Sequence, residues 1–188
     1  MPIVGSVGRL EAVKGYEVLL SAFARLLATH NQQPKPVLVV VGDGSERPAL
    51  ESAASALGVG DSVRLIGWRS DIESVLRACT VFAMSSHSEG TSVSLLEAMS
   101  SGLCPVVTHV GGNPDVLGPD LQHRLVPAAE PQALAGALQS ALADHQARGR
   151  DSDFARNRIV EHFGLDSMVR RYEDLYARAP ANAQHTCD

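Results

Sequence analysis

An α/β fold built on a doubly wound, Rossmann-like, mostly parallel sheet is what the chain predicts, on three observations. Short runs of β-branched and small apolar residues recur, residues 37–41 (VLVVV) being the plainest, and such continuous runs belong to parallel strands covered on both faces. Stretches with helical spacing alternate with these runs, which implies right-handed crossovers between neighbouring strands. Glycine-rich or small polar loops follow the runs, at the strand ends where open α/β sheets hold their ligands. About six strands with helices on both faces are expected, and 45% apolar residues among 188 are enough for a sizeable core.

Residues 2–7 form the first apolar run. Residues 8–15 then turn into a helix whose Val18, Leu19, Ala22, Phe23, Leu26 and Leu27 repeat on one face. A loop over 31–36 leads to the strand at 37–41, and residues 42–48 punctuate it before a helix over 49–57 that closes near Gly58. A third strand is expected at 63–66, a helix at 71–78 capped by Asp71, and a fourth strand at 80–84. A helix running to Ser101, a strand at 104–108, a turn at 111–114 and a sixth strand at 121–126 follow. Helices are then expected at 131–143, 153–162 and 166–179, with an apolar stripe of Met168, Val169, Tyr172, Leu175 and Tyr176 suited to packing. One domain, residues 1–179, with a flexible tail at 180–188, accounts for the chain.

Composition removes several function classes. A net charge of −5, a pI near 5.8 and the lack of a Lys/Arg run disfavour a nucleic-acid partner, which needs a basic face. No apolar stretch is long enough to span a bilayer, and Cys79, Cys104 and Cys187 form no CxxC pair, so a cytoplasmic location is expected, with peripheral attachment to the inner membrane face as a variant. Aromatic residues make up 4%, too few for a stacking platform, and seven histidines, His87 and His109 on the rim among them, show no metal-ligand spacing, so no metal site is expected. Gly42 and Gly44 start a glycine fingerprint, but Pro48 follows Arg47 without a third glycine, which argues against a nicotinamide cofactor. No G-x-S-x-G nucleophile motif is present.

The chemistry concentrates where the fourth strand ends. Residues 85–92 are small and polar, and an apolar pattern resumes at Val93, which describes a strand, a loop and a helix N-terminus. Thr91 or Ser92 can cap that helix while its first-turn N–H groups stay free for an anion. Glu89 lies in the loop and Glu97 one to two turns into the helix. Carboxylates repel phosphate but accept hydrogen bonds from hydroxyls, so two of them beside an anion site suit a ligand carrying both phosphates and hydroxyls. Arg9 and Lys14, at the first strand-to-helix junction, can face a diphosphate. Consecutive Gly111 and Gly112 let the backbone approach a neighbour or ligand closely.

Taken together, VGRLEAVKG (7–15), VVVGDGSERPALE (39–51), LIGWRSDI (65–72), SEGTSVSLLEAMSSGLCPVVTHVGGNPDVL (88–117) and LVPAAEPQALAGAL (125–138) resemble the C-terminal, nucleotide-sugar-binding half of retaining GT-B glycosyltransferases, group 1 or family 4 type. The resemblance covers nearly the whole chain with its motifs in order; Ser92 and His109 stand where the family often has Pro and Asp. It implies transfer of a sugar from a nucleoside-diphosphate sugar to an acceptor hydroxyl in glycan, polysaccharide or glycolipid synthesis, with no obligate cofactor. A UDP-sugar is the favoured donor and a GDP-sugar the second option. It implies Arg9, Lys14 and Glu89 as the catalytic set, with Arg9 and Lys14 on the diphosphate and Glu89 on the donor sugar. Glu97 falls on the ribose, Gly8, Gly42, Gly44, Gly90, Thr91, Ser92 and Val93 along the donor, and Trp68 and Arg69 near the base. It also implies an acceptor-binding N-terminal half, in the same polypeptide or a separate subunit, onto which the final helical stripe crosses, and a chain that alone binds nucleotide without turnover. A non-catalytic partner or regulatory domain on the same fold and half of a nucleotide-sugar epimerase are the alternatives.

Overall fold

The computed structural model describes residues 1–30 and 33–178. Among them six strands form one parallel sheet in the order β3-β2-β1-β4-β5-β6. The strands are β1 (Ile3–Val7), β2 (Val37–Val41), β3 (Val63–Leu65), β4 (Val81–Met84), β5 (Cys104–Thr108) and β6 (Leu125–Val126). The expected doubly wound sheet is therefore present, and its strand order reverses between β1 and β4.

Two apolar cores flank the sheet, and strand periodicity divides them. Along β4, Val81 and Ala83 face one core while Phe82 and Met84 face the other. The first core collects Leu19, Phe23 and Leu26 of α1 (Tyr16–Thr29), Leu50 of α2 (Arg47–Ala56), and Leu134 and Leu138 of a long helix spanning Pro131–Ala143. The second collects Leu76 of α3 (Ile72–Ala78), Leu95 and Met99 of α4 (Val93–Ser100), and Val116 and Leu117 of α5 (Asn113–Leu117). With the Pro131–Ala143 helix as α6, the chain ends in α7 (His145–His162) and α8 (Leu165–Arg178). Burial pushes the thiols of Cys79 and Cys104 up to about 11, so both are packed and protonated.

Several local expectations are corrected. Asp71 stands at the α3 N-cap but makes no side-chain cap; its carboxylate takes two hydrogen bonds from Arg69, at 2.7 and 2.6 Å. The turn expected at 111–114 runs into α5, with Pro114 in the first helical turn, where its missing N–H costs nothing. Residues Pro119–Arg124 wind into a 3-10 helix, leaving β6 only Leu125 and Val126. The helix expected at 153–162 begins eight residues earlier, at His145, because the Asp144 carboxylate accepts from the Ala147 N–H at 2.9 Å. The stripe on α8 is not packed: Leu165, Met168, Val169, Tyr172, Leu175 and Tyr176 are all exposed. The tail expected at 180–188 lies outside the described residues.

A buried ion pair fastens α7 to the rest of the second core. Asp151 and Arg124 keep 7% and 5% of their side-chain surface, and the Arg124 Nε donates to Asp151 Oδ2 at 2.6 Å, with a second contact from Nη2. His123 adds a third partner to the same oxygen at 3.0 Å. Removing one member leaves the other charged and unpartnered in the interior, a loss of about 3–5 kcal/mol. Asp151→Ala is therefore expected to lower the unfolding free energy by that amount in urea denaturation. Arg124→Met combined with Asp151→Leu, which removes both charges, is expected to recover most of it.

Candidate functional site

The reversal of strand order sends α1 and α4 to opposite faces of the sheet, and the loops leaving β1 and β4 meet in the crevice between them. Backbone contacts close the meeting: the His87 N–H donates to the Val13 carbonyl at 2.9 Å, and Ser85 Oγ donates to the Lys14 carbonyl at 3.1 Å. Gly15 adopts φ 59° with its open side against the Ser85 carbonyl, a position with no room for a side chain.

Across this seam Lys14 Nζ donates to Glu89 Oε1 at 2.7 Å. The Glu89 side chain is 7% exposed and Lys14 21%, so the pair is largely withdrawn from water. Ser86 Oγ donates to the same Glu89 oxygen at 2.6 Å. Beneath the pair, burial pushes the Tyr16 hydroxyl up to about 12; the neighbouring Ser6 works the other way, and the Glu89 charge adds a smaller push upward. Tyr16 is thus neutral near pH 7 and makes a floor below Gly8, where any side chain would meet its hydroxyl.

Around the pair lie the remaining candidates. Arg9 stays at the outer edge, its guanidinium on Glu11 at 2.7 Å and 74% of its side chain in solvent, so it is not turned into the crevice as Lys14 is. Gly42 and Gly44 press bare against the backbone of Gly8 and Leu10, and the Gly42 N–H donates to the Gly67 carbonyl at 2.9 Å, which draws the loops after β1, β2 and β3 together. A cavity of about 310 Å³ opens there, lined by Gly8, Arg9, Gly42, Trp68, Arg69 and Ile72. Trp68, 76% exposed, forms its outer wall.

At α4 Ser92 occupies the N-cap position, but its hydroxyl lies 3.2 Å from Ser94 Oγ and bonds no first-turn N–H; Thr91 is one residue outside. The expected side-chain cap is therefore absent, and the first-turn amides are left for another acceptor. Gly90, Thr91 and Val93 are exposed beside them. Glu97, one turn on, lines an adjoining cavity with Ile72, Arg77 and Arg156, and partial burial raises its carboxyl above the usual range. Ile72 lines both this cavity and the one beside Trp68.

Three polar residues that the sequence did not single out complete the site. Thr108 Oγ1 donates to the Ser86 carbonyl at 2.7 Å, and Asn113 Nδ2 donates to the Thr108 carbonyl at 2.9 Å; all three side chains are buried. Their only trace in the sequence is a small polar residue closing each of two apolar runs and an Asn before Pro114. The close approach expected of Gly111 and Gly112 is to this same loop: their open sides face the Glu89 and Gly90 carbonyls, and the Gly112 N–H donates to Gly90 O at 3.2 Å. His87 pairs with Glu17 at 2.9 Å on the rim, and His109 is exposed. Among the described residues no three His, Cys, Asp or Glu gather as metal ligands, and no helix is long and apolar enough to cross a membrane.

Comparison with known proteins identifies the family and the fold. The chain is 33% identical over 180 residues to the lipopolysaccharide core biosynthesis glycosyltransferase LpsE of Rhizobium meliloti, covering 95% of the chain and 51% of that protein. It is 32% identical over 184 residues to a D-inositol 3-phosphate glycosyltransferase of Corynebacterium urealyticum, covering 95% of the chain and 43% of that protein. The chain thus spans about half the length of these relatives. Its fold matches the structure of HepE from Anabaena in complex with UDP, with TM-score 0.84 and 24% identity over 93% of this chain and 48% of that one. It also matches the C-terminal domain of a group 1 glycosyl transferase (LpcC) from Francisella tularensis, with TM-score 0.77 and 24% identity over 87% of each chain. A family profile described as glycosyl transferases group 1 covers residues 1–158, and the chain, one Rossmann-like half of a GT-B fold, belongs to that family.

Proposed function

We propose that residues 1–179 are the donor-binding domain of a retaining glycosyltransferase, which holds a nucleoside-diphosphate sugar in the crevice between β1 and β4. The observation that carries this reading is the Lys14–Glu89 pair beside the open N-terminus of α4. It puts a cation, free amides and a hydrogen-bond-accepting carboxylate within one recess, the set that a diphosphate joined to a sugar requires. A UDP-sugar is the favoured donor and a GDP-sugar the second option; the HepE structure, similar in fold, is a complex with UDP.

Bond cleavage at the anomeric carbon leaves negative charge on the departing diphosphate. Lys14 and the first-turn amides of α4 stabilise it, and Arg9 joins them by letting go of its exposed partner Glu11, which costs little in solvent. Glu89 keeps one oxygen on Lys14 and Ser86 and offers the other to a sugar hydroxyl. Glu97 accepts from the ribose, and the cavity beside Trp68 and Arg69 takes the base. The acceptor is brought by the other half, in the same polypeptide or in a separate subunit, and the uncovered stripe on α8 supports a missing neighbour. The chain alone accordingly binds donor without transferring sugar.

Calorimetric titration of the chain with UDP, GDP and their sugars is expected to show binding of at least one nucleotide. Lys14→Ala is expected to weaken it about tenfold or more, the worth of a charge-assisted hydrogen bond. A folded chain that binds none of them contradicts the proposal. In the same titrations Glu97→Ala is expected to weaken free nucleotide and sugar nucleotide alike. Glu89→Ala is expected to spare the free nucleotide and abolish the preference for the sugar-bearing one; equal losses on both ligands contradict this division of roles.

A further inference from the structure

Glu89 is more tightly held than an ion pair alone requires, and what holds it comes from neighbouring strands. Its Oε1 takes the Ser86 hydroxyl at 2.6 Å as well as Lys14 at 2.7 Å. Ser86, 1% exposed, is fixed in turn through its carbonyl, which accepts from Thr108 Oγ1 at 2.7 Å. Thr108, also 1% exposed, is the last residue of β5, and its own carbonyl accepts from Asn113 Nδ2 at 2.9 Å. Asn113 is fully buried at the start of α5, and its Oδ1 has no partner among the described residues. On the other side of the loop, the open faces of Gly111 and Gly112 lie against the Glu89 and Gly90 carbonyls. The segment from Thr108 to Asn113 thus grips the Glu89 loop by a side-chain relay on one side and by backbone contact on the other.

We infer that Ser86 and Thr108 are positioning residues that fix the Glu89 carboxylate, so that one oxygen is spent on Lys14 and Ser86 and the other is presented to the donor sugar. The inference rests on the reading of Glu89 as the sugar contact. It assigns the relay a specific consequence: losing a hydroxyl lets the carboxylate turn, which costs recognition of the sugar but not of the nucleotide. Lys14 shares Glu89 Oε1 with Ser86, but neither it nor the α4 amides, the groups proposed for the diphosphate, is altered when Ser86 or Thr108 loses its hydroxyl.

The test is calorimetric titration of the whole chain with UDP, UDP-glucose, UDP-galactose, UDP-N-acetylglucosamine, GDP and GDP-mannose. It is made on wild type, Ser86→Ala, Thr108→Val and Thr108→Ser, each first checked for cooperative unfolding. Ser86→Ala is expected to reduce the preference for sugar nucleotide over free nucleotide about tenfold, the worth of one hydrogen bond to a charged group, with free-nucleotide affinity kept within about twofold. Thr108→Val is expected to move the same ratio in the same direction. Thr108→Ser, which keeps the hydroxyl, restores it. Equal weakening of both ligand types, an unchanged ratio in Ser86→Ala and Thr108→Val, or Thr108→Ser behaving as Thr108→Val overturns the relay. A wild type with no preference for any sugar nucleotide removes the role of Glu89 itself and the relay with it, whereas a preference kept by the variants removes the relay alone. Should Ser86→Ala not fold, the Thr108→Val and Thr108→Ser pair decides.

Discussion

Between β1 and β4 the chain reverses the direction in which it adds strands, and α1 and α4 leave the sheet on opposite faces. Two loops separated by about seventy residues are thereby forced side by side over the same crevice, and the Lys14–Glu89 pair is the interaction that joins their side chains. A carboxylate as buried as Glu89 is stable only beside a cation and further donors, and the reversal is what brings Lys14 to it, beside Ser86 of its own loop. The recess is polar and partly withdrawn from water, which strengthens each charge within it.

Glycine makes that closeness sterically possible. Gly15 at φ 59° lies against the Ser85 carbonyl, and Gly111 at φ 49° lies against the Glu89 carbonyl. A β-carbon at either would collide with backbone, which cannot swing aside as a long side chain can. The loops after β1, β4 and β5 are therefore packed backbone to backbone, leaving the side chains of Lys14 and Glu89 to face the opening. This arrangement gives a preformed site on rigid supports, which lowers the ordering cost of binding.

Much of this was legible in the chain. The β-branched run of β2 and the helical spacing of Leu19, Phe23 and Leu26 announced their elements, because burial on a sheet or a helix stripe leaves a period in the sequence. The first turns of α7 left none: residues 145–152 are polar and contain a glycine, and the helix is set by the Asp144 cap and by Asp151, which reads as a surface charge yet is buried on Arg124. At the site, the residue types of Lys14, Glu89 and Glu97 pointed to phosphate and hydroxyl chemistry. That Lys14 and Glu89 bind each other, that Arg9 turns outward to Glu11, and that Thr108 and Asn113 support Ser86 were not legible. Each depends on which strands end up adjacent, and no local pattern records that.

Every role assigned to the crevice depends on where a nucleotide sits. Backbone amide shifts in a ¹⁵N–¹H spectrum of the chain, followed as UDP is added, test this most directly. The predicted changes cluster at residues 8–15, 67–72 and 86–97, which line the crevice and its two adjoining cavities. Changes confined to the opposite, amino end of the strands, around His30, His145 and Arg148, or an unchanged spectrum with both UDP and GDP, would contradict it.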